Sequence, residues 1–176
     1  MIYDEREMRH QHVIEAAKQM MTAARTAPKA KGVDIIEIAL VTDDDIVALS
    51  NGLRQIGEKM GRGGLQRDAE NILSAEAIVL IGSREEAMML NCAYCGSLTC
   101  DGRPAGTPCA MNTIDVGIAV GSACATAADL RLDTRVMYSV GYAALQLGWM
   151  KGCNYVIAIP VSASSKNPFF DRKRKQ

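Results

Sequence analysis

Four of the chain's six cysteines fall in one stretch, NCAYCGSLTCDGRPAGTPC, residues 91–109, with the spacing Cys92-x2-Cys95-x4-Cys100-x8-Cys109. Thiolates suit zinc and iron–sulfur clusters alike, so ligand softness alone does not choose between them. Gly96, Gly102, Pro104, Gly106 and Pro108 allow the tight turns that wrap a metal centre and exclude regular structure. Structural zinc ribbons present two short Cys-x2–4-Cys knuckles, whereas the second half here is Cys-x8-Cys. Three close cysteines followed by a fourth beside a proline suit the irregular loop around a [4Fe–4S] cube. The two histidines, His10 and His12, are far upstream, which argues against a mixed Cys/His zinc site or a Rieske centre. The spacing therefore favours iron–sulfur ligation by Cys92, Cys95, Cys100 and Cys109. Zinc and metal-free thiol chemistry stay open. Cys124 and Cys153 lie among apolar residues and read as inert core thiols.

Other chemistry is sparse. With both histidines in the first helical stretch, neither a Cys–His pair nor a Ser/His/Asp set is visible. GRGG at 61–64 lacks the Gly-Lys-Ser/Thr of a phosphate-binding loop. Asp43, Asp44 and Asp45 suit the positive end of a helix dipole better than a metal site.

Composition bounds the class. With 176 residues and 48% hydrophobic content, the chain predicts one globular domain, residues 1–176, with the cysteine loop at 91–110 inside it. The formal net charge is zero, so there is no global field for binding nucleic acid. The basic DRKRKQ at 171–176 reads as a solvated end. The charged start and the lack of any 18-residue apolar run predict no signal peptide, no membrane span and a cytoplasmic location. Cytoplasmic thiols stay reduced, which disfavours disulfides.

The elements that must carry the loop follow from periodicity. Residues 5–27 repeat Met8, His12, Val13, Ala16, Ala17, Met20, Met21 and Ala24 at helical spacing, and Pro28 ends the run. IIEIALV at 35–41, AIVLIG at 77–82 and NYVIAIPVS at 154–162 read as strands. Helices are expected at 43–60 and 65–74. SREE at 83–86 has capping-box spacing and predicts another short helix. IDVGIAVGSACATAADL predicts a buried helix. Asp133 is read as the N-cap of a helix running to Gly148. The tail after residue 162 carries an aromatic anchor, Phe169 and Phe170.

Several segments resemble known families. AARTAPKAKGVD, NCAYCGSLTC, IDVGIAVGSA, DTRVMYSVGYAA and IPVSASSKNPFFDR together resemble bacterial and archaeal proteins described as containing a ferredoxin domain, and also as carrying a zinc ribbon. The loop CAYCGSLTC is similar to the opening of the [4Fe–4S] domain of Rnf-complex B subunits and corrinoid iron–sulfur proteins. That similarity maps Cys92, Cys95, Gly96 and Cys100 and leaves the fourth ligand to Cys109 or Cys124. The order of AARTAPKAKGVD, the helix AALQLGWMKG and the strand VIAIPVS is similar to flavin nitroreductases. This resemblance implies an α+β fold with helices around a small sheet, a homodimer, and FMN as a possible cofactor. Arg25, Lys29, Lys31 and Lys166 are then the FMN candidates, the alternative being solvated surface charges.

Three functions follow as expectations. The first is an electron-transfer protein with one [4Fe–4S] cluster and a redox partner protein. The second is a flavin-dependent reductase in which a cluster feeds FMN. The third is a non-catalytic protein with structural zinc.

Overall fold

The computed structural model describes residues 1–170. Helix α1 (Glu5–Thr26) leads through a 3-10 turn (Ala30–Gly32) to strand β1 (Ile36–Thr42). Helices α2 (Asp44–Met60) and α3 (Gly63–Ile72) precede β2 (Ala77–Arg84). A long irregular segment then carries the cysteines to α4 (Ala110–Asp129). A two-residue strand β3 (Asp133–Thr134), helix α5 (Tyr138–Gln146) and strand β4 (Cys153–Ser162) complete the α+β domain.

The strands form one antiparallel sheet in the order β1-β2-β4-β3. Its two central strands are apolar on both faces because both faces are covered. Val79, Ile81, Ile159 and Val161 face a core shared with Val13, Ala17 and Met20 of α1 and Val116, Ala119 and Ala123 of α4. Ile78, Leu80, Val156 and Ala158 face the opposite core with Leu49, Leu53, Ile72 and Val140 from α2, α3 and α5. Period-2 alternation sends neighbouring residues to opposite cores. Two buried hydroxyls tie the second layer: Ser50 donates to the Ala69 carbonyl at 2.9 Å, and Ser139 donates to Asp68 at 2.7 Å.

Two glycines permit close or left-handed backbone. Gly61 ends α2 in the left-handed conformation (φ 62°), donating to the Glu58 and Gly57 carbonyls. Gly141 lets α5 lie on β4, since a Cβ there would be 2.0 Å from the Val156 carbonyl oxygen.

Three sequence expectations are corrected. No helix forms at SREE: Ser83 and Arg84 remain in β2, paired with Tyr155 and Cys153 across a register shift. The sheet hydrogen bonds available there outweigh a local capping pattern. Asp133 does not cap a helix, because it pairs with Ser162 in β3, and α5 starts five residues later. The apolar helix α4 is buried on one face only, leaving Ile114 and Ile118 exposed. Asp43 stands at the N-cap of α2, but its carboxylate makes no cap bond and faces His10 Nε2 at 3.0 Å. The anchor is half right: Phe169 is buried, while Phe170 is exposed beneath Arg135, 5.1 Å from guanidinium carbon to ring centre. The basic 171–176 end lies outside the described residues.

Candidate metal centre

The segment between Arg84 and Ala110 forms no helix or strand, as its glycines and prolines require. Its backbone is strained where it approaches the first cysteines. Met89, Asn91 and Ala93 all have positive φ (52°, 47° and 60°), a conformation that L-residues adopt at a cost. A turn closed by Gly96 N–H on the Ala93 carbonyl at 2.9 Å follows, with Gly96 at φ 89°. Asn91 pins Cys100 reciprocally: its backbone N–H donates to Cys100 Sγ at 3.4 Å, and Cys100 N–H donates to Asn91 Oδ1 at 2.8 Å.

Cys92, Cys95 and Cys100 are partly exposed, whereas Cys109 is buried. Cys109 stands at the N-cap of α4 and packs with Ile35 and Met88 in a small third core beside the sheet end. Burial pushes its thiol up, but backbone N–H groups of Met88, Asn112 and Met111 and the Arg103 charge outweigh that and hold it below its ordinary value. N–H groups at a helix start favour an anion, here the thiolate.

All six cysteines are free thiols. Among the described residues, no three Cys, His, Asp or Glu side chains converge closely enough to hold a metal ion. The four sulfurs thus share one loop without being gathered into one donor shell. The donor set nevertheless fits a thiolate-held centre in its chemistry. Cys109 is biased toward thiolate, Cys100 already accepts an N–H, and buried polar atoms nearby lack partners. Arg103 Nη1, in the cysteine loop, is one; Asn112 Oδ1, on the first turn of α4, is another.

Cys124 does not share this end of the molecule. It lies fifteen positions along α4 from Cys109, about 22 Å at helical rise. It packs against the α1–α4 core, and burial pushes its thiol up. The helix axis thus separates the fallback ligand from the loop. Cys153 opens β4 beside Gly82, and burial raises it to about 11. Both are half-buried and pack against the core.

The FMN candidates lie at the end of α1, in the 3-10 turn that follows it, and after β4. Arg25 donates to Asp34 at 2.7 Å and to the Ile36 carbonyl at 2.6 Å. Lys29 caps α1 through the carbonyls of Ala24, Arg25 and Ala27. Lys31 donates to the Met88 carbonyl at 3.3 Å, tying the 3-10 turn to the cysteine segment. Lys166 follows β4, its carbonyl accepting the Ser164 hydroxyl at 2.6 Å. Arg25, Lys29 and Lys31 thus each donate to protein acceptors.

Residues unread in the sequence also shape the start of α4. Asp115 is buried, and its carboxylate accepts the Ala30 N–H. Cys109, Asn112 and Asp115 repeat at intervals of three along one end of α4. Polar residues at that spacing in a nearly apolar helix were the available signal.

A family model described as "uncharacterized protein containing a ferredoxin domain" matches residues 105–172, a stretch that includes Cys109. An uncharacterised protein of Archaeoglobus fulgidus is 37% identical over 186 residues, spanning the whole of both chains. The chain belongs to this ferredoxin-domain family. Its fold is shared with flavin nitroreductases. Nitroreductase CinD from Lactococcus lactis, in complex with nicotinic acid, superposes with a TM-score of 0.61 at 16% identity, covering 99% of this chain and 86% of that one. A nitroreductase with bound FMN from Desulfitobacterium hafniense gives 0.58 at 14% identity, covering 92% and 85%. An FMN-dependent nitroreductase from Clostridium difficile gives 0.54 at 16%, covering 86% and 76%. At these identities the likeness establishes the fold of this ferredoxin-domain protein. No helix among its described residues is long and apolar enough to cross a membrane.

Proposed function

We propose that this ferredoxin-domain protein is an iron–sulfur redox protein that holds one [4Fe–4S] cluster through Cys92, Cys95, Cys100 and Cys109. The observation that carries the reading is the seat of Cys109, a buried thiol at the N-cap of α4 beside the three loop cysteines in sequence. When bound, the cluster supplies one-electron transfer. The chain's own contribution is ligation, N–H donation to sulfur at Cys100, and a partly buried environment. Met89, Leu90, Tyr94 and Leu98 expose apolar surface around the first cysteines, which supports docking of a redox partner protein there.

A flavin-dependent reductase is the second reading. The nitroreductase-like fold supports it, while the occupied Arg25, Lys29 and Lys31 weigh against it. A homodimer is part of both readings, supported by the exposed Ile114 and Ile118 on α4. Structural zinc is the third reading and a further outcome of the same test. The test is purification without oxygen, followed by absorbance and metal analysis. A brown protein with iron and acid-labile sulfide in equal amounts is expected. A yellow protein releasing FMN supports the flavin reading, and a colourless protein containing zinc overturns electron transfer.

A further inference from the structure

We propose that the outer edge of β1 pairs antiparallel with β1 of a second copy of this chain, with Leu40 opposite its own counterpart on the two-fold axis. The proposal assigns a surface to the homodimer reading above and does not depend on which cofactor the protein holds.

The strand order leaves two sheet edges, and they differ. β3 is two residues long and too short to template another strand. β1 runs seven residues, IEIALVT, in unbroken register with β2. It carries no proline, no lysine and no bulge, the devices that keep an open edge from pairing. Among the described residues, β1 pairs as a strand with β2 alone.

The register says which groups point outward. Arg84 N–H donates to the Ile35 carbonyl at 3.0 Å. Hydrogen-bonded and non-hydrogen-bonded pairs alternate along an antiparallel ladder. Glu37, Ala39 and Val41 therefore turn their N–H and C=O groups to β2, and Ile36, Ile38, Leu40 and Thr42 turn theirs away from it. Ile36 is already satisfied: its N–H donates to Asp34 Oδ1 at 3.2 Å, and its carbonyl accepts Arg25 Nη1 at 2.6 Å. Ile38, Leu40 and Thr42 remain. A second β1 that meets all three must be centred on Leu40, which sets Ile38 of each copy against Thr42 of the other. Each opposed pair then exchanges N–H···O=C bonds in both directions. The contact is isologous, so it closes at two copies and leaves no β1 edge open.

The two ends of the edge are complementary in charge. Lys18 and Arg25 flank Ile38, where with Met21 and Thr22 they line a groove of about 360 Å³. Each also meets one carboxylate, Glu15 or Asp34, and stays about half-exposed. Asp43, Asp44 and Asp45 are exposed just past Thr42. Antiparallel pairing lays the basic end of each copy beside the acidic end of the other, and the two-fold repeats that contact. Ile38 and Leu40, only partly buried against the α1–α4 core, are covered by the same pairing.

The test is mild oxidation of full-length Leu40→Cys, Ala39→Cys and wild type, treated alike because the chain has free cysteines of its own. Non-reducing gels and peptide mapping read the links, and sedimentation reads the size of wild type, Ile38→Lys and Ile114→Glu. Opposed residues of a hydrogen-bonded pair stand about 5.5 Å apart at Cα, within disulfide reach. Leu40→Cys is expected to give a covalent dimer joined from position 40 to position 40, and Ala39→Cys no link at position 39. Ile38→Lys, which places a charge on the edge, should lose the wild-type dimer, whereas Ile114→Glu on the exposed face of α4 should keep it. If Ile38→Lys is insoluble, the cross-links decide. A link at position 39 in place of position 40 overturns the register and the proposal. A wild-type dimer that is lost in Ile114→Glu, with no link in Leu40→Cys, places the contact on α4 and overturns the β1 edge alone. A monomeric wild type with no link in Leu40→Cys overturns the homodimer reading, and this proposal with it.

Discussion

The Asp115 carboxylate accepts the Ala30 backbone N–H through both oxygens, at 3.0 and 3.1 Å. This bond ties the first turns of α4 to the turn after α1, and so fixes the base on which Cys109 stands. Burial raises the Asp115 pKa, and the Ala30 N–H and Lys29 only partly offset it. A carboxyl raised in the folded state contributes stability below its unfolded value, and that contribution is lost as pH rises through the folded value. Asp115→Asn removes this titration while keeping an acceptor for Ala30. Urea unfolding from about pH 4 to about pH 7 should show wild type gaining on the variant as pH falls. A difference that is constant with pH would count against the raised carboxyl.

Cys109 and Cys124 separate the two candidates for the fourth ligand. Cys109→Ser should abolish stoichiometric iron and sulfide, whereas Cys124→Ser should retain them, because about 22 Å of helix lies between the two positions. Metal analysis of both variants, prepared side by side without oxygen, decides the assignment. Retained iron in the Cys109 variant would transfer the role elsewhere.

Lys29 gives its ammonium to carbonyls at the end of α1, where cations also favour the helix dipole. Lys29→Met should cost about 1 kcal/mol in thermal or urea unfolding and leave the iron content unchanged. A loss of bound FMN with unaltered stability would instead support the flavin reading.

Gly141 leaves no room for a side chain against the Val156 carbonyl. Gly141→Ala must push α5 off β4 and disturb the core formed with Val140, Ala143 and Ala144. A loss of about 3 kcal/mol or more is expected, read as a lowered midpoint or insoluble expression. A variant as stable as wild type would show that the helix can move away without cost.

Legibility in the sequence followed how local the signal was. The α1 stripe through Val13, Ala17 and Met20 and the doubly apolar strand AIVLIG were readable because period and burial coincide. The cysteine loop was readable because glycine and proline forbid its alternatives. SREE and Asp133 misled because each carries a genuine local cap signal that sheet pairing with distant β4 overrides. Arg25, Lys29 and Lys31 were visible as cations, but their carbonyl partners were not, since a backbone acceptor has no residue type.

The sequence by itself determined the donor chemistry: four thiols at fixed spacing, in a stretch that cannot form helix or strand, within one α+β domain. Tertiary structure alone decided which thiols differ. Packing on Ile35 and Met88 buries Cys109, the start of α4 supplies its N–H groups, and the length of α4 carries Cys124 to the other end of the domain. The physical reason is that ligand identity is written in side chains, whereas desolvation, N–H donation and distance are set by where the backbone runs.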